Sequence, residues 1–481
     1  MRLACALMLG LATGCAAGST LPPPREPLTP TPDADFRARA PAPLSGVASW
    51  QPPQVHVRTL ANGMQLYVVE RPGLPIASVR YVNRAAVSRY PGEKPGLSVL
   101  VGDALLEGTR MADNQVAAGL RIAGSRPSVW TGDGGSWVEI DLLAGALPAA
   151  IETLARVVQH PAFHPQAVAK SRQQQHDWLF DASKRGSMVQ KLVMGVLYGD
   201  DHPWAMQGRR IQRGLASITT ADVRRFHADV YTPAQSALVV AGDVRADQVF
   251  AIAERHFGPW QARERKHPQV LLPRKGQQRR VHAIYDGGDQ TRLLIVQPAV
   301  GIAHPDRHAL ELLSQILGGS FRSRADVALR HHQGATYGVN ARVLTTASGG
   351  HMEIRMAVDN RAVFGAVETI RSEIARIQAS GVSEAELAAA REAYLSGFEL
   401  TTTRQLTGTL MRMYMYGLPL SWLEGAESSV REIRPEHVQK VARDYLDANN
   451  HEIIAMGDYH QTRNALERLG KVQYYQITPG G

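Results

Sequence analysis

Cysteine is almost absent from this chain. Its two cysteines, Cys5 and Cys15, fall within the first 15 of 481 residues, so no disulfide can form inside the rest. Long apolar runs are also missing. No stretch beyond the N-terminus reaches the roughly 18–20 residues that a transmembrane helix needs. The charge is basic but dilute: 53 Lys and Arg against 44 Asp and Glu give a formal +9 with no dense basic tract. That argues against a nucleic-acid arm and permits only a weak attraction to anionic lipid or peptide. There is no glycine-rich phosphate loop. What remains, 44% hydrophobic and 20% charged, is ordinary for a globular chain, and its length suggests two to four domains.

The N-terminus carries a different signal. Arg2 is followed by a short run of Ala, Leu and Met that ends in Leu11-Ala12-Thr13-Gly14-Cys15. Small residues before a cysteine resemble the bacterial lipobox, although Ala12 stands where Leu is more usual. On this reading residues 1–15 are a lipoprotein signal and Cys15 becomes the lipidated first residue. A plain secretory signal cut nearby is the other reading, and both export the chain. Residues 16–54 contain recurrent proline and few large apolar side chains, as in a flexible tether. The expected location is the bacterial envelope, with the body beside the outer membrane and facing the periplasm.

An internal repeat organises the body. Residues 218–243 and 433–458 align without a gap, 215 positions apart. Ile218 meets Ile433, Val223 meets Val438, Asp229 meets Asp444, and Gly242-Asp243 meets Gly457-Asp458. Each copy reads as an amphipathic helix, a loop and a short apolar strand. Leu105 to Thr109 likewise faces Ile316 to Ser320. The spacing predicts two similar domains, 55–262 and 275–475, joined by a charged linker at 263–274. Strands such as Gln65–Val69 and Trp137–Ile140 mix with helices such as Leu147–Gln159 and Ala362–Ala379 without a βαβ rhythm. The expected fold class is α+β: two tandem domains, each a mainly antiparallel sheet with helices on one face.

Several segments carry a family resemblance. Lys94-Pro95-Gly96-Leu97 precedes Leu105-Leu106-Glu107-Gly108-Thr109; Tyr198-Gly199-Asp200 precedes His202-Pro203-Trp204; and Tyr231-Thr232-Pro233 leads to Gly242-Asp243. In this order and spacing they resemble the pitrilysin/insulinase-like zinc peptidases, near the processing-peptidase branch, over about residues 55–475. In an active member the first helix carries His-x-x-Glu-His. Its two His share a helical face and bind zinc, and its Glu accepts a proton from the metal-bound water. The resemblance places Val99 and Asp103 at the ligand positions and Gly102 at that of the base. Where the third ligand is expected the chain reads Gln173-Gln174-Gln175-His176-Asp177-Trp178, without glutamate. No His-x-x-Glu-His or its reverse occurs anywhere. His331 and His332 are adjacent and point apart on a helix, and Asp103 with Glu107 reads as a solvated face. No catalytic residue and no metal or cofactor is therefore expected in this chain.

The second half keeps more. Gly318-Gly319-Ser320, then Leu329-Arg330, Gly334 and Ala335-Thr336-Tyr337-Gly338 resemble the family's glycine-rich turn, helix end and following strand. The resemblance assigns substrate-backbone binding to Arg330 and Tyr337, which offer directed donors to carbonyl or carboxylate oxygens. Gly334 would supply the left-handed turn between them. Spacing alone also admits a helix-terminal charge at Arg330 and a half-buried strand aromatic at Tyr337. Arg322 and Arg324 are secondary candidates, with a plain surface role as the alternative. Loss of the zinc motif with retention of the Arg/Tyr pair implies a heterodimer. A homologous partner would carry the zinc, and unfolded peptide would be the substrate. The alternative is a non-enzymatic scaffold or peptide-binding protein of the envelope, in homodimeric form.

Overall fold

Helices in this chain begin at explicit caps. Thr219, Ser383 and Thr402 each accept the backbone N–H of the third residue on, while Asp222, Glu386 and Gln405 reach back to the cap. Strands form where β-branched and apolar residues dominate, as in Ile76–Asn83 and Ser236–Gly242. The computed structural model describes residues 52–85, 94–112, 127–132, 134–180, 185–199, 208–261, 280–347, 349–397, 402–449 and 451–475. Cys15, the tether up to residue 51, the 263–274 linker and His202-Pro203-Trp204 lie outside them.

The first half contains β1 (His56–Thr59), β2 (Gln65–Glu70), β3 (Ile76–Asn83), α1 (Leu97–Ala112), β4 (Ser128–Thr131) and β5 (Ser136–Leu143). There follow α2 (Leu147–Gln159), α3 (Pro165–Phe180), α4 (Arg185–Tyr198), α5 (Gly208–Ser217), α6 (Thr220–Val230), β6 (Ser236–Gly242) and α7 (Ala246–Phe257). The second half opens with β7 (Arg280–Tyr285), β8 (Gln290–Ala299), α8 (Arg307–Gly318) and α9 (Arg324–Asp326), which runs on as a π-helix over Val327–His332. Next come β9 (Thr336–Thr345), β10 (Gly350–Asp359), α10 (Val363–Ser380), α11 (Glu384–Ser396), α12 (Thr403–Tyr416) and α13 (Leu420–Glu424). It closes with α14 (Ala426–Arg431), α15 (Pro435–Tyr445), β11 (Glu452–Gly457), α16 (Tyr459–Leu469) and β12 (Lys471–Tyr475).

The two sheets have orders β1-β2-β6-β3-β5-β4 and β12-β7-β11-β8-β10-β9. Five of the six strands, from β2 to β4 and from β7 to β9 in these orders, form the same arrangement twice. β2 runs parallel to β6 as β7 does to β11, and every later neighbour is antiparallel. The copies part only at the edge, where β1 is antiparallel and β12 parallel to its neighbour. The repeat read from sequence is thus α6–β6 in one half and α15–β11 in the other. The α+β class stands.

On one face of each sheet the core is local. Leu100, Leu105, Ile151, Leu154, Phe226 and Phe257 pack beneath the first sheet, and Leu313, Ile370, Val441 and Leu466 beneath the second. The opposite faces are covered by exchange. Leu406, Leu410 and Tyr414 of α12, from the second half, pack on Val69, Val82 and Val239 of the first sheet. Val193, Leu197 and Tyr198 of α4, from the first half, pack on Leu294, Val296 and Ile454 of the second. Burying each such side chain stabilises by about 1.5–3 kcal/mol. Charges fix the first exchange: Glu139 on β5 binds Arg80 at 3.1 Å and Arg404 of α12 at 2.6 Å. Among the described residues no helix is long and apolar enough to cross a membrane.

Candidate functional site

The entry to α1 is pinned by Lys94. Its Nζ donates over 2.7 Å to Ser217 O and over 2.7 Å to Asp222 Oδ2. Lys94 and the Thr219 cap hold the Asp222 carboxyl well below the usual carboxylate range. From there α1 runs against the edge strand β4 and against α3. A Cβ at Gly102 would stand 2.5 Å from Thr131 Oγ1 and 3.4 Å from Val129 Cγ1. The Thr131 and Ser136 hydroxyls are themselves 2.8 Å apart. A side chain at Gly102, the position that the resemblance aligns with the glutamate of an active peptidase, would therefore meet the Thr131 hydroxyl of β4.

The two positions that the resemblance assigns to zinc ligands are Val99 and Asp103. Val99 has no donor atom and is partly buried. Asp103 does not lie on a solvated face, contrary to the sequence expectation: it is mostly buried, and burial pushes its carboxyl up to about 6. Glu107 is partly buried too, paired with Lys170 of α3. The helical spacing gave the right neighbours but not the layer of α3 laid over them. On α3, Gln175 is buried and donates over 3.3 Å to Gly96 O, so it ties the two helices together. Among the described residues no group of three or more His, Cys, Asp and Glu side chains is placed to hold a metal. This donor set does not fit zinc.

Arg330 and Tyr337 are set by a different local logic. Arg330 sits in the π-helical stretch and its guanidinium lies 4.5 Å over the Phe321 ring. Its Nη1 is 3.9 Å from Asp326 Oδ2, one turn earlier. Asp326 is 1% exposed, and its Oδ1 accepts the Val339 N–H over 3.0 Å. One buried carboxylate therefore fixes both the helix that carries Arg330 and the strand that carries Tyr337. Gly334 joins them with φ +61°, and Ala335 N donates to Leu329 O over 2.8 Å. The β9–β10 ladder is irregular at this point: Val339 pairs with Met356, but Thr336 with Val358. Bulges of this kind re-aim side chains.

Tyr337 is 88% exposed, which removes the half-buried aromatic reading, and Phe321 beside the site is 67% exposed. Tyr337 stands on the outer edge of the second sheet, since β9 is its last strand. Arg324 is not available to a substrate. Its Nε and Nη2 bind Glu386 at 2.6 and 3.0 Å, and Nη2 also reaches Gly381 O at 3.0 Å. Arg324 holds Glu386 down at about 2. Arg322 is exposed, as are His331 and His332. Asp326 and Phe321 were missed from sequence. An Asp four residues before Arg330 was the available signal for the first.

Known proteins resemble the chain in the same terms. The family model described as "Peptidase M16 inactive domain" matches residues 217–394. An uncharacterised zinc protease of Mycobacterium leprae is 26% identical over 219 residues, covering 44% of this chain and 47% of that protein. The match thus spans only about half of that relative's length. Mitochondrial-processing peptidase subunit beta of Homo sapiens is 22% identical over 428 residues, covering 85% of this chain and 86% of that one. Among solved structures, a peptidase M16 inactive domain from Pseudomonas fluorescens superposes with a TM-score of 0.76 at 24% identity, covering 84% of this chain and 98% of that chain. A protease from Helicobacter pylori gives 0.75 at 17% identity, covering 85% and 100%. These likenesses establish the fold, with its duplicated halves. By the family model over residues 217–394 and by its fold, the chain is similar to the pitrilysin/insulinase-like (M16) peptidases.

Proposed function

We propose that this chain is the non-zinc, substrate-aligning subunit of a two-chain zinc peptidase of the bacterial envelope, tethered by lipid on Cys15. One observation carries the reading. The half that resembles the zinc-binding one carries Val99, Gly102 and Asp103 at the motif positions, with Gly102 close against Thr131, while the other half holds a partly exposed Arg330 and an exposed Tyr337 around a buried Asp326. Side chains displayed on such a support suit a ligand outside the chain. β9, as a terminal strand, offers unpaired backbone groups to which extended peptide can add. The partner would supply zinc and the water activated by it. Arg330 and Tyr337 would bind peptide carbonyls beside the scissile bond, and donors so placed lower a barrier by about 3 kcal/mol each.

The reading is tested by purifying the tagged full chain from its native envelope and identifying what accompanies it. A homologous chain bearing His-x-x-Glu-His, in one-to-one ratio with peptide-cleaving activity, is expected, along with release from the membrane fraction by Cys15→Ser. A homodimer without zinc or cleavage would refute it.

A further inference from the structure

A cavity of about 370 Å³ lies between α8, α11, α12 and α13, and neither Arg330 nor Tyr337 lines it. Its volume is within the range of small-molecule sites, roughly 300–1,000 Å³. It also lies where α12, which crosses to the first sheet, meets helices of the second half.

The lining is cationic and aromatic. Among the described lining residues, Arg307 of α8 and Arg412 of α12 both reach the cavity, against the one carboxyl of Glu311. Nε and Nη1 of Arg307 are shielded from solvent and have no hydrogen-bond partner among the described residues. Donors left so cost stability unless something outside the fold satisfies them. Burial disfavours the charge on Arg412, and the nearby Arg307 adds to that effect. Burial holds Glu311 up at about 7, so near neutral pH it cancels only part of the two positive charges. The Arg307 guanidinium lies 4.9 Å over the Trp422 ring. Tyr394, a second wall, has its hydroxyl fixed 3.1 Å from His308 Nδ1.

We propose that this cavity binds a small carboxylate with an aromatic or apolar body. The carboxylate sits between Arg307 and Arg412, and the body lies against Trp422 and Tyr394. The planar guanidinium suits a carboxylate, and the aromatic walls would be idle around a bare inorganic anion.

The test is calorimetric titration of the purified full chain, without any partner, with N-acetyl-L-phenylalanine, its amide, a hexapeptide ending in phenylalanine, and inorganic phosphate. The acid should bind about tenfold or more tightly than the amide, which cannot satisfy two cations. Arg307→Met and Arg412→Met should each weaken it about tenfold, and Glu311→Gln should not weaken it. Should a Met variant fail to fold, Arg307→Lys keeps the charge, loses the fork, and should bind several-fold less tightly. Hexapeptide binding as tight as that of the acid identifies a peptide C-terminus as the source. Binding of the acid alone identifies a free small acid. Equal affinity for acid and amide, preference for phosphate, no binding at all, or folded Arg variants that bind normally would each overturn the proposal. None of these results depends on whether a zinc-bearing partner exists.

Discussion

Asp326 and Arg330 stand one helical turn apart, but only the first is buried, and that difference defines their roles. Asp326 is a support: it spends one oxygen on the Val339 amide and faces Arg330 with the other. Arg330 and Tyr337 are what the support displays. Residue chemistry also makes Asp103, which the resemblance places at a zinc-ligand position, open to measurement. Asp103 has its carboxyl raised to about 6 by burial, above the ordinary 3.8. The folded state therefore holds its proton more tightly than the unfolded chain does. Asp103 costs nothing below about pH 4, destabilises progressively between pH 4 and 6, and carries its full penalty, roughly 3 kcal/mol, above that. Asp103→Asn should accordingly leave stability unchanged at pH 4 and raise it at pH 8, as read by denaturant unfolding. Equal stability of the two proteins at pH 8 would show that Asp103 is solvated after all. Rebuilding the motif is the complementary trial. Val99→His, Gly102→Glu and Asp103→His together should give no stoichiometric zinc by metal analysis, because the helix is too close to Thr131 and α3 offers Gln175. Overpacking at residue 102 should cost about 1–3 kcal/mol. One tightly held zinc per triple variant would contradict this.

At the scale of elements, what sequence revealed and what it hid follow from range. The gapless repeat disclosed α6–β6 and α15–β11 because each unit is local and its apolar period is self-contained. Gly334 was legible because a turn leaves its mark in a single residue. The exchange of α4 and α12 was not. The apolar stripe of α12 shows that it packs, but its target, Val69, Val82 and Val239, lies in the other half, and no periodicity names a partner at that distance. The Glu139 cage of Arg80 and Arg404 was hidden for the same reason. Two consequences follow. Leu410→Ala, at a position 2% exposed, should cost about 2–5 kcal/mol in denaturant unfolding, while both halves still melt in one transition. Residues 1–262 expressed alone should be insoluble, since the face bearing Val69 and Val239 loses its cover, and co-expression with 263–481 should recover them. A soluble, cooperatively melting first half would mean that the exchange is dispensable.

At the scale of the whole molecule, duplication has been followed by divergence. Two sheets of matching order carry unequal sites: one with Gly102 close against β4, the other with a partly exposed Arg330 beside an exposed Tyr337. Such asymmetry suits a chain that completes another chain's active site. The most direct measurement is kcat/KM for an unfolded peptide with the co-purified complex, compared among wild type, Arg330→Ala and Tyr337→Phe, with thermal midpoints and partner stoichiometry checked in each. Both variants should assemble normally, and kcat/KM should fall about 10²- to 10³-fold for Arg330→Ala and less steeply for Tyr337→Phe. Unchanged kcat/KM in both variants, in complexes of normal stability and stoichiometry, would contradict the substrate-aligning role.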